Sequence, residues 1–590
     1  MAKNHSKSTK SVLKFRDLRS GLTQIKQILP FCLLPSILCI SSVNADPKPT
    51  PSTPPPQLPT QTNTLDTNRA AAEKARAEAY QLAKQNAPYL TQIIPKFEEA
   101  LKYWRLAKDR KKEALALDEI AKRYWLRGEY PKALEYALKA LPICQALGDK
   151  ECEGAVTTSL SLIYDQMGEY QKAIDIRLQI PSLFPKSLDL PSIAYSTVAH
   201  IYSSKLGEPK KALEYYNKDI AFWREKGDIV KQAESLDRMA LFYLTSGEIN
   251  QSFDAIKQAN TLDPEFKRNT RKYNLYDVIY VGLNSSICAD KLASIKKTPN
   301  IENFENSSKQ SATPNSNAAR TNLIENFKQK AEKWRKQELI RFEAENLSDL
   351  ASLGYYNIGE YKKALAEYQK ALKIRQIMGG KPEEAKTLTD IADILNKQGK
   401  KQEAINFLNQ ALEIQRQTKA RPDEANTLVT IGNVYLSLGA YTESLRTYGQ
   451  ALSLWKNIGD RNKETDPLTL IGDVYRKLQD YPQALNYYQQ ALDISKITGD
   501  CANEAYLLER ISRTYLATGD YQQAISFGNK TLNLSRNLGV NERQLFFEAL
   551  TLNIRAQVEI KQGNYSQALE DAQKARKAAR ESGYRAIRFS

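Results

Sequence analysis

Few side chains in this chain could carry out catalysis or bind a metal ion. The 590 residues include two histidines, His5 and His200, and six cysteines. The sequence contains no glycine-rich phosphate loop, paired-cysteine motif or His-Glu metal motif. His200, in the segment VAHIYS, is either a ligand contact or an ordinary solvated histidine. We therefore predict that the protein is not an enzyme and that it uses no metal or cofactor.

The cysteines offer one candidate covalent link. Cys144 ends one helical segment and Cys152 opens the next, so a disulfide across the turn between them is geometrically feasible. Such a bond would form in an oxidising compartment. The alternative is that Cys144 and Cys152 are buried free thiols, which is also what we expect of Cys288 and Cys501.

Polar side chains recur every 40 residues in the C-terminal half of the chain. Donors and acceptors in such rows, held on rigid helices, could bind the backbone and charged side chains of an extended peptide. A hydrated surface without a ligand is the alternative. The candidate partner-binding residues are Lys386, Asp393, Lys397, Asn426, Asn433, Asp466, Asp473, Lys477 and Arg513.

A regular repeat must position these residues. Turn glycines stand 40 residues apart, with Gln479 in that place once, and the upstream and C-terminal segments carry the same signal. A fixed period of this length is typical of stacked helical hairpins that bury their apolar faces only against their neighbours. The turn residues are Gly128, Gly168, Gly207, Gly247, Gly359, Gly399, Gly439, Gln479, Gly519 and Gly563.

The segment 425–460 shows the unit most clearly. Apolar residues at helical spacing predict one helix before Gly439 and a second after it. Gly432 and Ala451 are small, which predicts a close crossing of the two helices, and Tyr448 is expected to fill the space beside them.

These residues resemble the tetratricopeptide repeat family. Its order of small residue, Tyr, Gly, Tyr, Ala, Tyr, Ala is present at Gly432, Tyr435, Gly439, Tyr441, Ser444, Tyr448 and Ala451, with Ser444 in place of the first alanine. The period is similar to the longer repeat of kinesin light chains. The resemblance implies an all-α solenoid, a right-handed superhelix of about ten to eleven antiparallel helix pairs, whose first helices line a concave groove. The polar rows then face this groove, where a protein or peptide partner would bind.

The repeats also resemble the arrays that precede a caspase-like CHAT protease domain in bacterial proteins. Residues 97–109 and 130–149 carry this likeness. No strand-rich region with a His and Cys pair follows the repeats, so no protease activity is implied. Only the recognition half is expected here.

The regions outside the regular repeats suggest where the protein acts. Residues 1–45 combine a basic lead, an apolar run and the sequence Val43-Asn44-Ala45, which together predict an export signal, with a disordered basic tail as the alternative. Residues 46–66 are rich in proline and threonine and predict an extended linker. The array is expected at 67–264 and 321–590, with an irregular, partly disordered insert at 265–320 and a basic C-terminal tail. The repeats could form two blocks joined by the insert, or one continuous stack from which the insert projects as a loop.

The net charge does not suggest a nucleic-acid partner. It is +17 for the whole chain, and basic residues alternate with acidic ones through every repeat. No apolar stretch after the N-terminus is long enough to span a membrane. We therefore predict an exported, periplasmic or extracellular scaffold that binds a protein or peptide in its groove. The alternative is a recognition subunit for a separately encoded enzyme such as a protease.

Overall fold

The computed structural model describes residues 61–184, 187, 189–263, 317–536 and 541–582, which form helices joined by turns. The predicted signal at 1–45, most of the insert predicted at 265–320 and the last residues of the tail lie outside this part of the chain. The described helices before Asp500 fall into a first layer and a second layer, and those from Asp500 onwards belong to a separate compact unit, the C-terminal unit.

The first layer, α1 to α11, contains five helix pairs. Its helices are α1 (Gln61–Lys84), α2 (Ile94–Leu106), α3 (Arg110–Arg127), α4 (Tyr130–Leu147), α5 (Lys150–Met167), α6 (Tyr170–Arg177), α7 (Ile180–Leu183), α8 (Leu190–His200), α9 (Pro209–Lys226), α10 (Ile229–Thr245) and α11 (Ile249–Leu262). A π-helical turn, Tyr89–Ile93, precedes α2, and another, Ile201–Leu206, continues α8.

The second layer, α12 to α20, contains one single helix and four pairs. Its helices are α12 (Asn317–Lys336), α13 (Ile340–Asp349), α14 (Tyr361–Met378), α15 (Lys381–Lys397), α16 (Lys401–Gln417), α17 (Arg421–Leu438), α18 (Tyr441–Ile458), α19 (Arg461–Lys477) and α20 (Tyr481–Thr498). A π-helical turn, Leu350–Tyr355, and a short 3₁₀ turn, Tyr356–Ile358, extend α13.

The C-terminal unit contributes two more pairs, α21 (Cys501–Thr518) with α22 (Tyr521–Arg536) and α23 (Asn541–Gln562) with α24 (Tyr565–Glu581). Arg555 donates to the carboxylate of Asp571 through its Nη2 at 2.5 Å, across α23 and α24. This hydrogen bond is the main reason that the pKa of Asp571 lies below its ordinary value.

The repeat predicted from the sequence is confirmed. Each predicted turn glycine has a positive φ, and Gln479 adopts the same left-handed conformation with a φ of 63°. The predicted close crossing is also present, because a Cβ on Gly432 would lie 2.4 Å from Cε1 of Tyr448. The helix pairs bury alanine, leucine, isoleucine and tyrosine side chains between them.

Helix boundaries differ from the prediction in two places. α1 begins at Gln61, inside the stretch 46–66 predicted as a linker, because no proline follows Pro59 there to stop a helix. α12 begins at Asn317, inside the stretch 265–320 predicted as an irregular insert. The second helix of the third first-layer pair is broken, since α6 ends at Arg177 and α7 begins at Ile180.

The two layers pack side by side through their turns. We call turns within a helix pair hairpin turns and turns between pairs junction turns. The hairpin turns of the first layer contact the junction turns of the second layer, at successive positions 250 or 251 residues apart. A Cβ added to Gly128 would lie 3.1 Å from Met378 Cε, and one added to Gly168 would lie 2.7 Å from Thr418 Cγ2. A Cβ added to Gly207 would lie 2.8 Å from Ile458 Cγ1.

This contact, which we call the seam, also contains backbone and aromatic interactions. The Tyr89 N–H donates to the carbonyl oxygen of Gln337 at 3.1 Å, and the Leu90 N–H donates to Glu338 Oε2 at 2.7 Å. Further along, the Arg341 guanidinium lies 5.1 Å from the centre of the Trp125 ring. The seam therefore joins layers that are distant in sequence at regularly spaced points.

Candidate functional site

The first helix of each pair in the second layer carries the predicted polar rows. Lys386, Asn426 and Lys477 are exposed on α15, α17 and α19. The remaining second-layer candidates, Asp393, Lys397, Asn433, Asp466 and Asp473, are half-buried. The structure thus separates candidates that are open to solvent from candidates that also contact the helices beneath them.

Two of the half-buried candidates are anchored by buried tyrosines. The Tyr448 hydroxyl donates to Asn433 Oδ1 at 2.6 Å, and the Tyr488 hydroxyl donates to Asp473 Oδ1 at 2.6 Å. Both tyrosines come from the second helix of the pair and are 0% exposed. Because Asn433 Oδ1 faces the tyrosine, its NH₂ group is turned away from Tyr448 and fixed in orientation.

Asp393 and Arg513 are held differently. Asp393 accepts a hydrogen bond from Tyr356, which lies on the preceding first helix rather than on the paired second helix. Arg513, in the C-terminal unit, forms an ion pair with Glu509 one turn earlier on α21, with 2.5 Å between Nη2 and Oε1. Each of these charges therefore has an intramolecular partner.

The seam brings first helices of the two layers end to end. The C-terminal end of α3 contacts α13, that of α5 contacts α15, and the π-helical turn after α8 contacts α17. The partial negative charge at a helix C-terminus then faces the partial positive charge at the next N-terminus, which is favourable. The seam therefore brings the first helices of both layers into contact at their ends.

A charged cluster lies at this contact. Lys205, Asp165 and Tyr170 come from the first layer, and Glu383 and Asp423 from the first turns of α15 and α17. Burial raises the pKa of Asp165. Burial opposes the charged form of Lys205, but the neighbouring carboxylates of Asp165, Glu383 and Asp423 outweigh it and raise its pKa. Electrostatic attraction across the seam thus supplements apolar contact.

The other chemical candidates have structural surroundings. Ser204 lies 3.2 Å from Nε2 of His200, through its hydroxyl oxygen. Cys144 and Cys152 are buried and joined by a disulfide, with 5.4 Å between their Cα atoms. Cys288 lies outside the described residues. Within the described ranges, no group of three or more metal-binding side chains occurs, and no helix is both long and apolar enough to cross a membrane.

Sequence reasoning missed the tyrosine anchors and the seam. The anchors had a signal, because Tyr448 and Tyr488 each follow their polar partner by 15 residues. The seam had a weaker signal in the residues that begin first helices. Free junction turns carry a capping aspartate there, as at Asp109, Asp149 and Asp228. Three of the covered turns carry Leu339, Gly380 and Ala420 instead, and a fourth keeps an aspartate, Asp460.

The helix pairs and their repeated turns define an all-helical repeat solenoid. Four segments, residues 113–176, 344–417, 423–497 and 466–537, match the tetratricopeptide repeat family. The chain therefore contains tetratricopeptide repeats, which serve protein–protein interaction.

Solved structures to which the chain is similar include BtubC (BKLC) from P. vanneervenii, at 19% identity over 37% of this chain and 91% of that chain, with a TM-score of 0.34. The apo form of RapI is similar at 15% identity over 41% of this chain and 99% of that chain, with a TM-score of 0.33. Comparison with curated proteins finds no match.

Proposed function

We propose that this protein is an exported, non-catalytic scaffold that binds a peptide or a partner surface along the groove lined by its first helices. Tetratricopeptide repeats are interaction scaffolds, which supports the general role. The groove as the binding surface, the peptide nature of the partner and export are the specific parts of the proposal.

The observation that carries the proposal is the anchoring of polar groups in the rows. Asn433 and Asp473 are oriented by buried hydroxyl groups, so a ligand that bonds to them does not have to restrict their rotation. The exposed Lys386 lies on α15 and the exposed Lys477 on α19, the first helices before and after α17 in the same layer. Oriented polar side chains such as Asn433 and Asp473 can hydrogen-bond to the backbone of an extended peptide. The exposed ammonium groups of Lys386 and Lys477 can form ion pairs with acidic side chains of that peptide.

The binding test uses exposed lysines, because reversing the charge of Asp473 would also remove the acceptor of a buried tyrosine. We compare wild type with Lys386→Glu/Lys477→Glu in pull-downs from the exported fraction, followed by mass spectrometry. The matched control is Lys373→Glu/Lys496→Glu, which makes the same charge change at exposed positions of second helices. We expect one or two partners that the wild type and the control retain and that the groove variant loses. Equal retention by all three proteins would exclude these groove positions.

Export is tested separately. Fractionation of the native host, with sequencing of the protein's N-terminus, should find the chain outside the cytoplasm and beginning near Asp46. The Cys144–Cys152 disulfide supports this proposal, since disulfides persist in oxidising compartments. A protein that stays in the cytoplasm with residues 1–45 intact would refute export and leave the groove proposal standing.

A further inference from the structure

The seam uses one edge of each layer and leaves the opposite edges open. We call the row of junction turns of the first layer the free junction edge and the row of hairpin turns of the second layer the free hairpin edge, because the described residues of the seam use neither row. At Gly148 and Gly227 of the first and at Gly359, Gly399 and Gly439 of the second, an added Cβ would meet no described atom within 4 Å.

Both free edges expose apolar side chains. On the free hairpin edge, Leu438 is 49% exposed and Leu478 is 46% exposed. On the free junction edge, Leu147 is 46% exposed and Val230 is 44% exposed. Single exposed apolar residues are ordinary, but these four stand beside turns that repeat every 40 residues.

The equivalent positions in the seam are covered. Leu438 and Leu478 precede their turns as Leu206 does in the first layer, and Leu206 is only 6% exposed. Leu147 corresponds to Met378 and Ile458, which are 3% and 5% exposed. At these positions the apolar side chains are therefore covered where the layers meet and uncovered at the outer edges.

We propose that the free hairpin edge of the second layer binds the free junction edge of the first layer in another copy of this chain. The combination, a hairpin edge against a junction edge, is the one that already forms the seam. Both edges keep the 40-residue period, so contacts can repeat along them as they do in the seam.

The capping aspartates of the free junction edge are compatible with this contact. Asp149 and Asp228 accept hydrogen bonds from the backbone N–H groups of Cys152 and Lys231, at 3.0 and 2.9 Å. Asp460 makes the same kind of bond, to Lys463, in a junction turn of the seam beside Ile458. A capped turn is thus already tolerated within the internal contact.

The proposed association joins two different surfaces, so it does not close on itself and can extend by adding further copies. It goes beyond the groove proposal and does not depend on it. Sedimentation velocity of the purified chain at rising concentration should show a series of species, from one chain upwards.

Complementary variants test the geometry. Leu438→Lys/Leu478→Lys blocks the hairpin edge and Leu147→Lys/Val230→Lys blocks the junction edge. Each variant alone should stay monomeric, and an equal mixture of the two should form a particle of two chains, because each retains the edge that the other lacks. Leu138→Lys, at a position 46% exposed in the middle of α4 and away from the turns that form these edges, is the control and should associate like wild type.

Several results would overturn the proposal. Wild type that remains monomeric at all concentrations, variants that associate alone, or a mixture that stays monomeric would each do so. Loss of association in the control as well would show that the effect is not specific to the edges. Circular dichroism checks that helix content is unchanged, and glutamine at the same positions replaces lysine if it is not.

Discussion

The crossing of α17 and α18 allows a prediction in which two similar substitutions have opposite effects. Gly432→Ala would place a Cβ 2.4 Å from Tyr448 Cε1 and 2.6 Å from Cδ1. The ring is fully buried and its hydroxyl is bonded to Asn433, so it has little freedom to move away. Gly449→Ala, on α18, would place a Cβ where no described atom lies within 4 Å.

The expected magnitudes follow from two opposing effects. Replacing a helical glycine by alanine favours the helix by about 1 kcal/mol. Overpacking a tight contact costs roughly 1 to 3 kcal/mol, and 2.4 Å is far inside normal contact distance, so the upper half of that range applies. Gly432→Ala should therefore destabilise its helix pair by about 1 to 2 kcal/mol. Gly449→Ala should stabilise it by about 1 kcal/mol.

Amide hydrogen exchange of α17 and α18 is the suitable assay, because repeat arrays open locally and a single global unfolding energy would average over many pairs. Protection should fall in Gly432→Ala and rise in Gly449→Ala. Changes of the same sign in both variants would refute the argument that contact with Tyr448 decides the outcome.

A double-mutant cycle isolates the contact. Tyr448→Leu removes the ring that the new methyl group would strike, so Gly432→Ala should cost less in that background. We expect a coupling energy of about 1 to 2 kcal/mol between the two positions. Additive effects would place the cost of Gly432→Ala elsewhere in the helix pair.

Three further predictions concern the seam, the anchors and the C-terminal unit. Gly380→Asp puts a carboxylate where a Cβ would already lie 3.0 Å from Tyr130, so it should weaken the seam by about 3 kcal/mol and speed amide exchange in both layers. Asn433→Leu removes the acceptor of a buried hydroxyl and should cost about 1 to 3 kcal/mol, whereas Tyr448→Phe, which leaves a half-exposed amide to water, should cost less. The pKa of Asp571 is lowered in the folded state, so its ionised side chain adds to the free energy of unfolding above the ordinary carboxyl pKa of about 4, and this stabilisation is lost as the pH falls. Asp571→Asn should therefore make the thermal unfolding temperature less dependent on pH in the acid range.

The repeat itself could be predicted from sequence because its determinants are local. A turn glycine, apolar residues at helical spacing and a small residue at the crossing all lie within about one unit of each other, and each constrains the same helix pair. Even Gln479, which breaks the glycine pattern, adopts the conformation that the period requires.

The seam could not be predicted in the same way, because its contacts join residues that no local pattern links. Gly168 and Thr418 are close only because two separate arrays have the same period and pack in a matching register. The absence of a capping aspartate at Gly380 and Ala420 is informative only once the structure shows those turns to be covered. The hydrogen bonds from tyrosine hydroxyls to Asn433 and Asp473 could not be predicted either, because they depend on how close the second helix of each pair lies to the first.

The constant offset along the seam limits how the gene can change length. Arrays of this kind ordinarily gain or lose a unit at little cost, since each unit contacts only its neighbours. Here the loss of one unit from the second layer would shift every later junction turn by 40 residues against its partner in the first. Duplications and deletions that spare the fold must therefore occur at the end of a layer or affect both layers together, so the copy numbers of the two arrays are coupled.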